Sequence, residues 1–143
     1  FLREVDVWKR LRHHQILPLI GIYTLADGMT YMISPWMQHS SIMSYLKKHQ
    51  DVDCMYTAVM GLEYLHTGTA IHDDVGGLAN ILISESGNAC VADFGLLMLG
   101  EQTQIKYSLS TSFHRAGNSH WMAPELLAEG SVRTMNTDVF SFG

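Results

Sequence analysis

Apolar positions change their spacing several times along this chain. Val5 follows Phe1 by four positions and Trp8 follows Val5 by three, with Leu2 and Leu11 widening the stripe, so residues 1–12 are predicted to form an amphipathic helix. Arg3, Asp6, Lys9, Arg10 and Arg12 lie largely off that stripe, and Glu4, four residues before Trp8, borders it. Ile16, Leu17, Leu19 and Ile20 make an apolar connector in which Pro18 argues against a central strand. Strand character follows at Ile22 to Leu25 and at Met29 to Ile33, and Asp27-Gly28 between them signals a hairpin.

Further along, the period returns to that of helices. Ser40 or Ser41 can cap a short helix reaching Lys47, with Ile42, Tyr45 and Leu46 facing inward. A longer helix is expected from Val52 to His66, with Met55, Val59, Leu62 and Leu65 as its buried side and Gly68 as its stop. Gly61 lowers helix propensity by up to about 1 kcal/mol relative to alanine, which points to close packing rather than a break. Ile81 to Ile83 and Ala89 to Ala92 read as paired strands joined by residues 84–88, whereas Ala70-Ile71-His72 is too short to assign alone. The polar span from Glu101 to Ser119 has little periodicity, as functional or mobile loops do. Pro124 can open a helix through Leu127, and Thr137-Asp138 can cap the last apolar segment, Val139 to Phe142. The order predicts an α+β fold rather than a regular βαβ series, in two blocks that meet near Trp36 to Ser41 with a cleft between them.

Composition narrows the class. The 143 residues are 47% apolar and 16% charged, which fits one ordinary domain and excludes an obligatorily disordered chain. Nine basic and fourteen acidic residues give a net charge of −5, which argues against a large nucleic-acid footprint. Cys54 and Cys90 read as two reduced thiols, which suits a cytoplasmic or nuclear protein. Every apolar run is short of the 18 or so residues that span a bilayer, and no membrane association is expected. No signal peptide is visible after Phe1, and both ends of the chain read as cut from a longer protein.

Candidate chemistry gathers at His72-Asp73-Asp74, Asn80 and Asp93-Phe94-Gly95, each beside an apolar element rather than in a charged run. Magnesium on a nucleotide is usually held by one or two protein carboxylates plus phosphate oxygens, a need that an Asp and an Asn on adjacent loops would meet. A further carboxylate can accept a hydroxyl proton during phosphoryl transfer. Taken one at a time, such aspartates are more often turn formers.

Their joint order is more telling. His72-x-Asp74, Asn80, Asp93-Phe94-Gly95 and Ala123-Pro124-Glu125 follow the order of the protein-kinase signature set, and the whole chain resembles a eukaryotic protein kinase. It is most similar to the fungal tyrosine-kinase-like serine/threonine kinases, through Phe1-Leu2-Arg3-Glu4-Val5, Leu11-Arg12-His13, Ile16-Leu17, Gly61-Leu62-x-Tyr64-Leu65-His66, Trp121-Met122-Ala123-Pro124-Glu125 and Asp138-Val139-Phe140-Ser141-Phe142-Gly143. The resemblance implies a kinase-like bilobal fold: residues 1–37 as a partial small lobe and 38–143 as a partial large lobe. The first small-lobe strands and the later large-lobe helices would lie outside the chain. ATP and magnesium would be its cofactors, and a protein its substrate or interaction partner.

By the same resemblance, Glu4 is the pairing glutamate of the regulatory helix, whose lysine partner would precede Phe1. Ser34 is the gatekeeper, and Pro35 and Met37 contact adenine through hinge backbone groups. Trp36 reads equally as a core or a domain-boundary aromatic. Asp74 receives or orients the substrate hydroxyl, while Asn80 and Asp93 hold magnesium. Trp8, His72 and Phe94 stack together, which gives His72 a packing role. Residues 93–125 form the activation segment, with Ser108, Ser110, Thr111, Ser112 and Ser119 as candidate phosphosites. Pro124-Glu125 is structural, and Asp138 braces the catalytic loop through backbone N–H groups, a role compatible with capping.

Three departures bear on activity. Asp73 stands where the family has arginine or glycine, Gly76 stands where it has lysine, and Asn80 follows Asp74 by six positions rather than five. Gly76-Gly77 gives the loop freedom to absorb the extra residue without positioning it. Two functions stay open at this point: a protein serine/threonine kinase seen as an inactive fragment, or a pseudokinase acting as a nucleotide-binding or interaction scaffold.

Overall fold

The computed structural model describes residues 2–49, 53–68, 70–72, 78–94, 97–99, 121–127 and 131–143. Its elements in chain order are helix α1 (Leu2–Trp8), strands β1 (Gly21–Thr24) and β2 (Thr30–Ile33), helices α2 (Ile42–Leu46) and α3 (Asp53–Thr67), strands β3 (Ala70–Ile71), β4 (Ile81–Ile83), β5 (Ala89–Val91) and β6 (Met98–Leu99), a 3₁₀ turn (Pro124–Leu127) and helix α4 (Met135–Phe142). The strands form three separate antiparallel pairs, β1 with β2, β3 with β6 and β4 with β5. Helices and small antiparallel sheets are thus mixed along the chain, as expected of an α+β fold.

The β1–β2 hairpin forms around Asp27-Gly28 as anticipated. Gly28 takes a φ of +88°, a conformation open to glycine at little steric cost. The Asp27 carboxylate accepts the backbone N–H of Met29 at 2.9 Å. The pairing runs from Gly21 opposite Ile33 to Thr24 opposite Thr30. β4 and β5 also pair as anticipated, Ile81 opposite Val91 and Ile83 opposite Ala89.

Helix α1 ends four residues earlier than the sequence pattern suggests. The N–H groups of Arg10 and Leu11 bond back to the carbonyls of Val7 and Trp8, tightening the chain out of the helix. Its buried residues are Val7 and Trp8, with Leu11 buried just beyond, whereas Leu2 is exposed. The connector after it is held by backbone bonds to β5: Leu17 N–H to Val91 O at 2.9 Å and Val91 N–H to Gln15 O at 2.8 Å. Pro18 falls just past this short parallel contact at Ile16, where its missing N–H costs no ladder bond.

In α3 the buried face is Cys54, Ala58, Gly61, Leu62 and Leu65, while Val59 is 46% exposed. Leu62 and Leu65 are buried and Met55 is partly buried as expected, and of the expected stripe Val59 faces out, because the small residues Ala58 and Gly61 let the helix approach β5 closely. A methyl group on Gly61 would lie 2.7 Å from the Gln15 carbonyl oxygen and 2.9 Å from Val91 Cγ2. Gly61 is therefore a packing glycine.

Two hydrophobic clusters result. Val7, Trp8, Leu11, Ile16, Leu17, Leu65, Ala70, Cys90, Val91, Ala92, Phe94 and Leu97 form one; Ile42, Tyr45, Cys54, Ala58, Leu62, Ile81, Ile83 and Ala89 form the other. α3 and β5 contribute to both. Helix α4 starts at Thr134, not at Thr137-Asp138. The Thr134 hydroxyl accepts the Thr137 N–H, and the Thr137 hydroxyl accepts the Thr134 N–H, a reciprocal capping pair. No helix among the described residues is long and apolar enough to cross a membrane.

Candidate active site

The β4–β5 pair places Asn80 and Asp93 at the same end of one hairpin. Asn80 directly precedes β4, Ala92 directly follows β5, and the Ala92 N–H donates to the Asn80 carbonyl at 2.8 Å. Asp93 comes next, with a φ of +59°. Aspartate tolerates this left-handed region better than most residues. At this turn the Asp93 side chain is exposed and the next side chain, Phe94, is buried. The Leu97 N–H then bonds back to the Phe94 carbonyl at 3.2 Å, and β6 pairs Met98 with Ile71 of β3.

That pairing brings His72, which follows β3, to the same hairpin. His72 is fully buried, and its Nε2 lies 3.0 Å from the Ala92 carbonyl. A carbonyl can only accept, so Nε2 carries the proton and donates. Ala92 therefore joins three candidate residues: its N–H reaches Asn80, its carbonyl receives His72, and its successor is Asp93. Burial holds the His72 imidazole below its ordinary pKa, against the opposing influence of Asp138, the Ala92 carbonyl and Asp93.

Asp138 of α4 completes this support. Its Oδ2 accepts the His72 backbone N–H at 2.8 Å and lies 3.0 Å from His66 Nε2. The side chain is buried one turn inside α4, so it acts as a brace and not as the cap. Burial raises its pKa, and the bonds from His66 and His72 only partly offset this.

Phe94 is gripped from both sides. The Trp8 ring lies at 5.5 Å between centroids, tilted by 50°, and the His72 ring at 5.5 Å in an edge-on arrangement. The three-ring stack anticipated from the resemblance is present. Glu4, one turn before Trp8 on α1, is half-buried, and its carboxyl is raised by burial and then by the nearby Asp93 charge. The Arg3 guanidinium donates to the Leu97 carbonyl at 3.2 Å, tying α1 to the segment beyond Phe94.

Ser34, Pro35 and Met37 follow β2. Ser34 and Met37 are half-buried, with Met37 packed on the cluster that holds Phe94. Trp36 is 82% exposed, which removes the core reading of that residue. Past this stretch, the His39 N–H bonds to the Ile83 carbonyl and the Ile83 N–H to the Ser40 carbonyl, anchoring it on β4, the strand that Asn80 opens. Asp73, Asp74, Gly76, Gly77, Gly95 and the five candidate phosphosites lie outside the described residues.

Asn80 and Asp93 offer amide and carboxylate oxygens, the hard donors that magnesium prefers, at one hairpin end. Among the described residues no group of three or more His, Cys, Asp or Glu side chains is arranged to hold a metal. A two-residue oxygen set suits an ion that takes much of its coordination from phosphates and water. Sequence reasoning missed Ala92, whose contribution is made by backbone groups that no side-chain pattern announces.

Comparison with known proteins shows the class. The model of the family described as protein tyrosine and serine/threonine kinase matches residues 1–143, so the chain belongs to the protein kinase family. It is similar to the tyrosine-protein kinase SRK3 of Spongilla lacustris, 32% identical over 152 residues, which cover 100% of this chain and 43% of that protein. It is also 28% identical over 147 residues to a probable serine/threonine-protein kinase of Dictyostelium discoideum, with 98% of this chain and 28% of that protein covered. The chain thus spans less than half the length of these relatives.

Proposed function

We infer that this chain is part of an ATP-dependent kinase that phosphorylates a serine or threonine hydroxyl on another protein. The observation that carries the reading is the junction at Ala92, where Asn80, His72 and Asp93 meet at one hairpin end. Asn80 and Asp93 are the residues that would hold magnesium, whose chemistry there is to neutralise phosphate charge. Asp74 takes the proton of the substrate hydroxyl as its oxygen bonds to the γ-phosphorus and the bond to the β,γ-bridging oxygen breaks, releasing ADP. Ser34, Pro35 and Met37 line the adenine side, and Glu4 serves the phosphate side from α1. In this reading residues 1–37 and 38–143 belong to two lobes joined at that hinge. The serine/threonine assignment and the kinship with fungal tyrosine-kinase-like enzymes rest on the sequence blocks quoted above. The net charge of −5 favours a protein partner over nucleic acid, and the two thiols favour a cytoplasmic or nuclear setting.

Asp73, Gly76 and the six-residue step from Asp74 to Asn80 favour a second reading, a pseudokinase that binds nucleotide or a partner protein without turnover. One experiment separates the two. Full-length protein is given radiolabelled ATP, magnesium and a protein substrate, beside an Asp93→Ala form. The kinase reading expects transfer that falls on the order of 100-fold or more in the variant. Equal transfer by both forms would overturn the role given to Asp93. Magnesium-dependent ATP binding without transfer would establish the pseudokinase.

A further inference from the structure

Helix α1 buries Val7 and Trp8, and these tertiary contacts set its position. The contact of most consequence is made by Trp8. Its ring packs on Phe94 and its indole Nε1–H donates to the Leu17 carbonyl, a buried bond across the connector. Leu17 is in turn bonded through its own N–H to Val91, two residues before Asp93. The indole thereby joins α1 to both chain segments that lead to the Asp93 turn.

We propose that Trp8 is a positioning residue whose indole N–H latches α1 to the Leu17 carbonyl and so sets the orientation of Glu4. Glu4 precedes Trp8 by four positions and therefore lies on the same side of the helix, one turn away. An aromatic ring alone can slide and rotate over Phe94, because stacking tolerates a range of offsets and tilts. A hydrogen bond from one ring nitrogen to one carbonyl does not, because it is directional. The bond therefore fixes the rotation of α1 about its axis, and that rotation decides where Glu4 points. Val7 and Leu11, also buried, supply adhesion without this directional control. In its effect on turnover the proposal rests on the kinase reading given above; in its effect on α1 it stands alone.

The test replaces Trp8 in the full-length protein by β-(3-benzothienyl)alanine, which keeps the ring shape and exchanges N–H for sulfur. A Trp8→Phe form serves as a second, smaller ring. Hydrogen–deuterium exchange and steady-state kinetics are read on both. The latch expects backbone amides of α1 to lose protection about tenfold or more in both forms, while β5 and α3 keep theirs. It also expects kcat to fall on the order of 10- to 100-fold with KM for the protein substrate unchanged. Unchanged α1 protection in the benzothienyl form overturns the latch whatever the activity. Lost protection with unchanged kcat overturns its positioning role. Should native full-length protein transfer no phosphate, the kinase reading fails, and the exchange measurement alone still decides whether the indole N–H holds α1.

Discussion

The carboxylate of Asp138 accepts the backbone N–H of His72 at 2.8 Å across 66 positions of sequence. Both residues are buried, and the bond ties the start of α4 to the residue that supports Ala92. A buried carboxylate without partners would be costly, and here the partners include a main-chain N–H and the His66 imidazole.

Replacing Asp138 by alanine removes the acceptor and leaves the His72 N–H buried and unpaired. The loss is expected to be about 1–3 kcal/mol from that donor alone. Asp138→Asn, which retains an accepting oxygen, should lose less. Urea unfolding of the three forms checks both the size and the order, and equal stability of Asp138→Ala and the native form would contradict the bracing role.

The buried imidazole of His72 gives stability a pH dependence of known sign. Unfolded, the ring takes a proton near its ordinary value of 6.5, whereas folded it does so only at lower pH. Below about pH 6.5 the unfolded chain therefore binds more protons, and the contribution of this group, fully present above that value, is lost by up to about 1.4 kcal/mol per pH unit. Asp138, raised from 3.8, acts in the opposite sense: its contribution is present below 3.8 and is lost as pH rises through the folded value. Comparison of the native form with His72→Phe at pH 7.5 and 5.5 isolates the histidine. The stability gap between them should narrow at the lower pH, and a constant gap would refute the assignment.

Gly61→Ala sets two effects against each other. Alanine gains up to about 1 kcal/mol of helix propensity. The added methyl, however, meets the Gln15 carbonyl oxygen at 2.7 Å, and backbone there cannot turn aside as a side chain can. The clash is expected to win, with a net loss on the order of 1–3 kcal/mol in denaturant unfolding. Gly21→Ala is the control, since nothing lies within 4 Å of the new methyl. Its stability should stay within about 0.5 kcal/mol of native.

Phe94→Ala empties the space between Trp8 and His72. Phe94 is 1% exposed, so the loss is expected at about 3–5 kcal/mol, larger than that of any exposed substitution nearby. Thermal unfolding of this form beside Asp93→Ala checks the contrast: Asp93 is exposed, so its removal should lower the melting temperature less than loss of Phe94, the strain of alanine at a φ of +59° included, while lowering magnesium-dependent phosphate transfer on the order of 100-fold or more.

Much of the local structure was legible beforehand. The Asp27-Gly28 hairpin and the β4–β5 pair announced themselves through turn residues between β-forming runs, and the three-ring stack came with the family likeness. The β3–β6 pair was not legible, because two-residue strands carry no period and acquire meaning only when the 27 positions between Ile71 and Met98 are closed. One position of the expected face of α3, Val59, was misjudged for a related reason. Large apolar residues set the expected stripe, whereas the helix turned its small residues, Ala58 and Gly61, toward β5 to come closer.

From the order of its motifs alone, the chain declares its family and nominates Asn80 and Asp93, since residue type and spacing are properties of the linear sequence. Tertiary structure decided what aligns them. The Ala92 backbone, the Asp138 brace and the indole N–H of Trp8 act through main-chain groups or across long separations. Hydrogen bonds of that kind exist only once distant segments are packed together, so no local pattern encodes them.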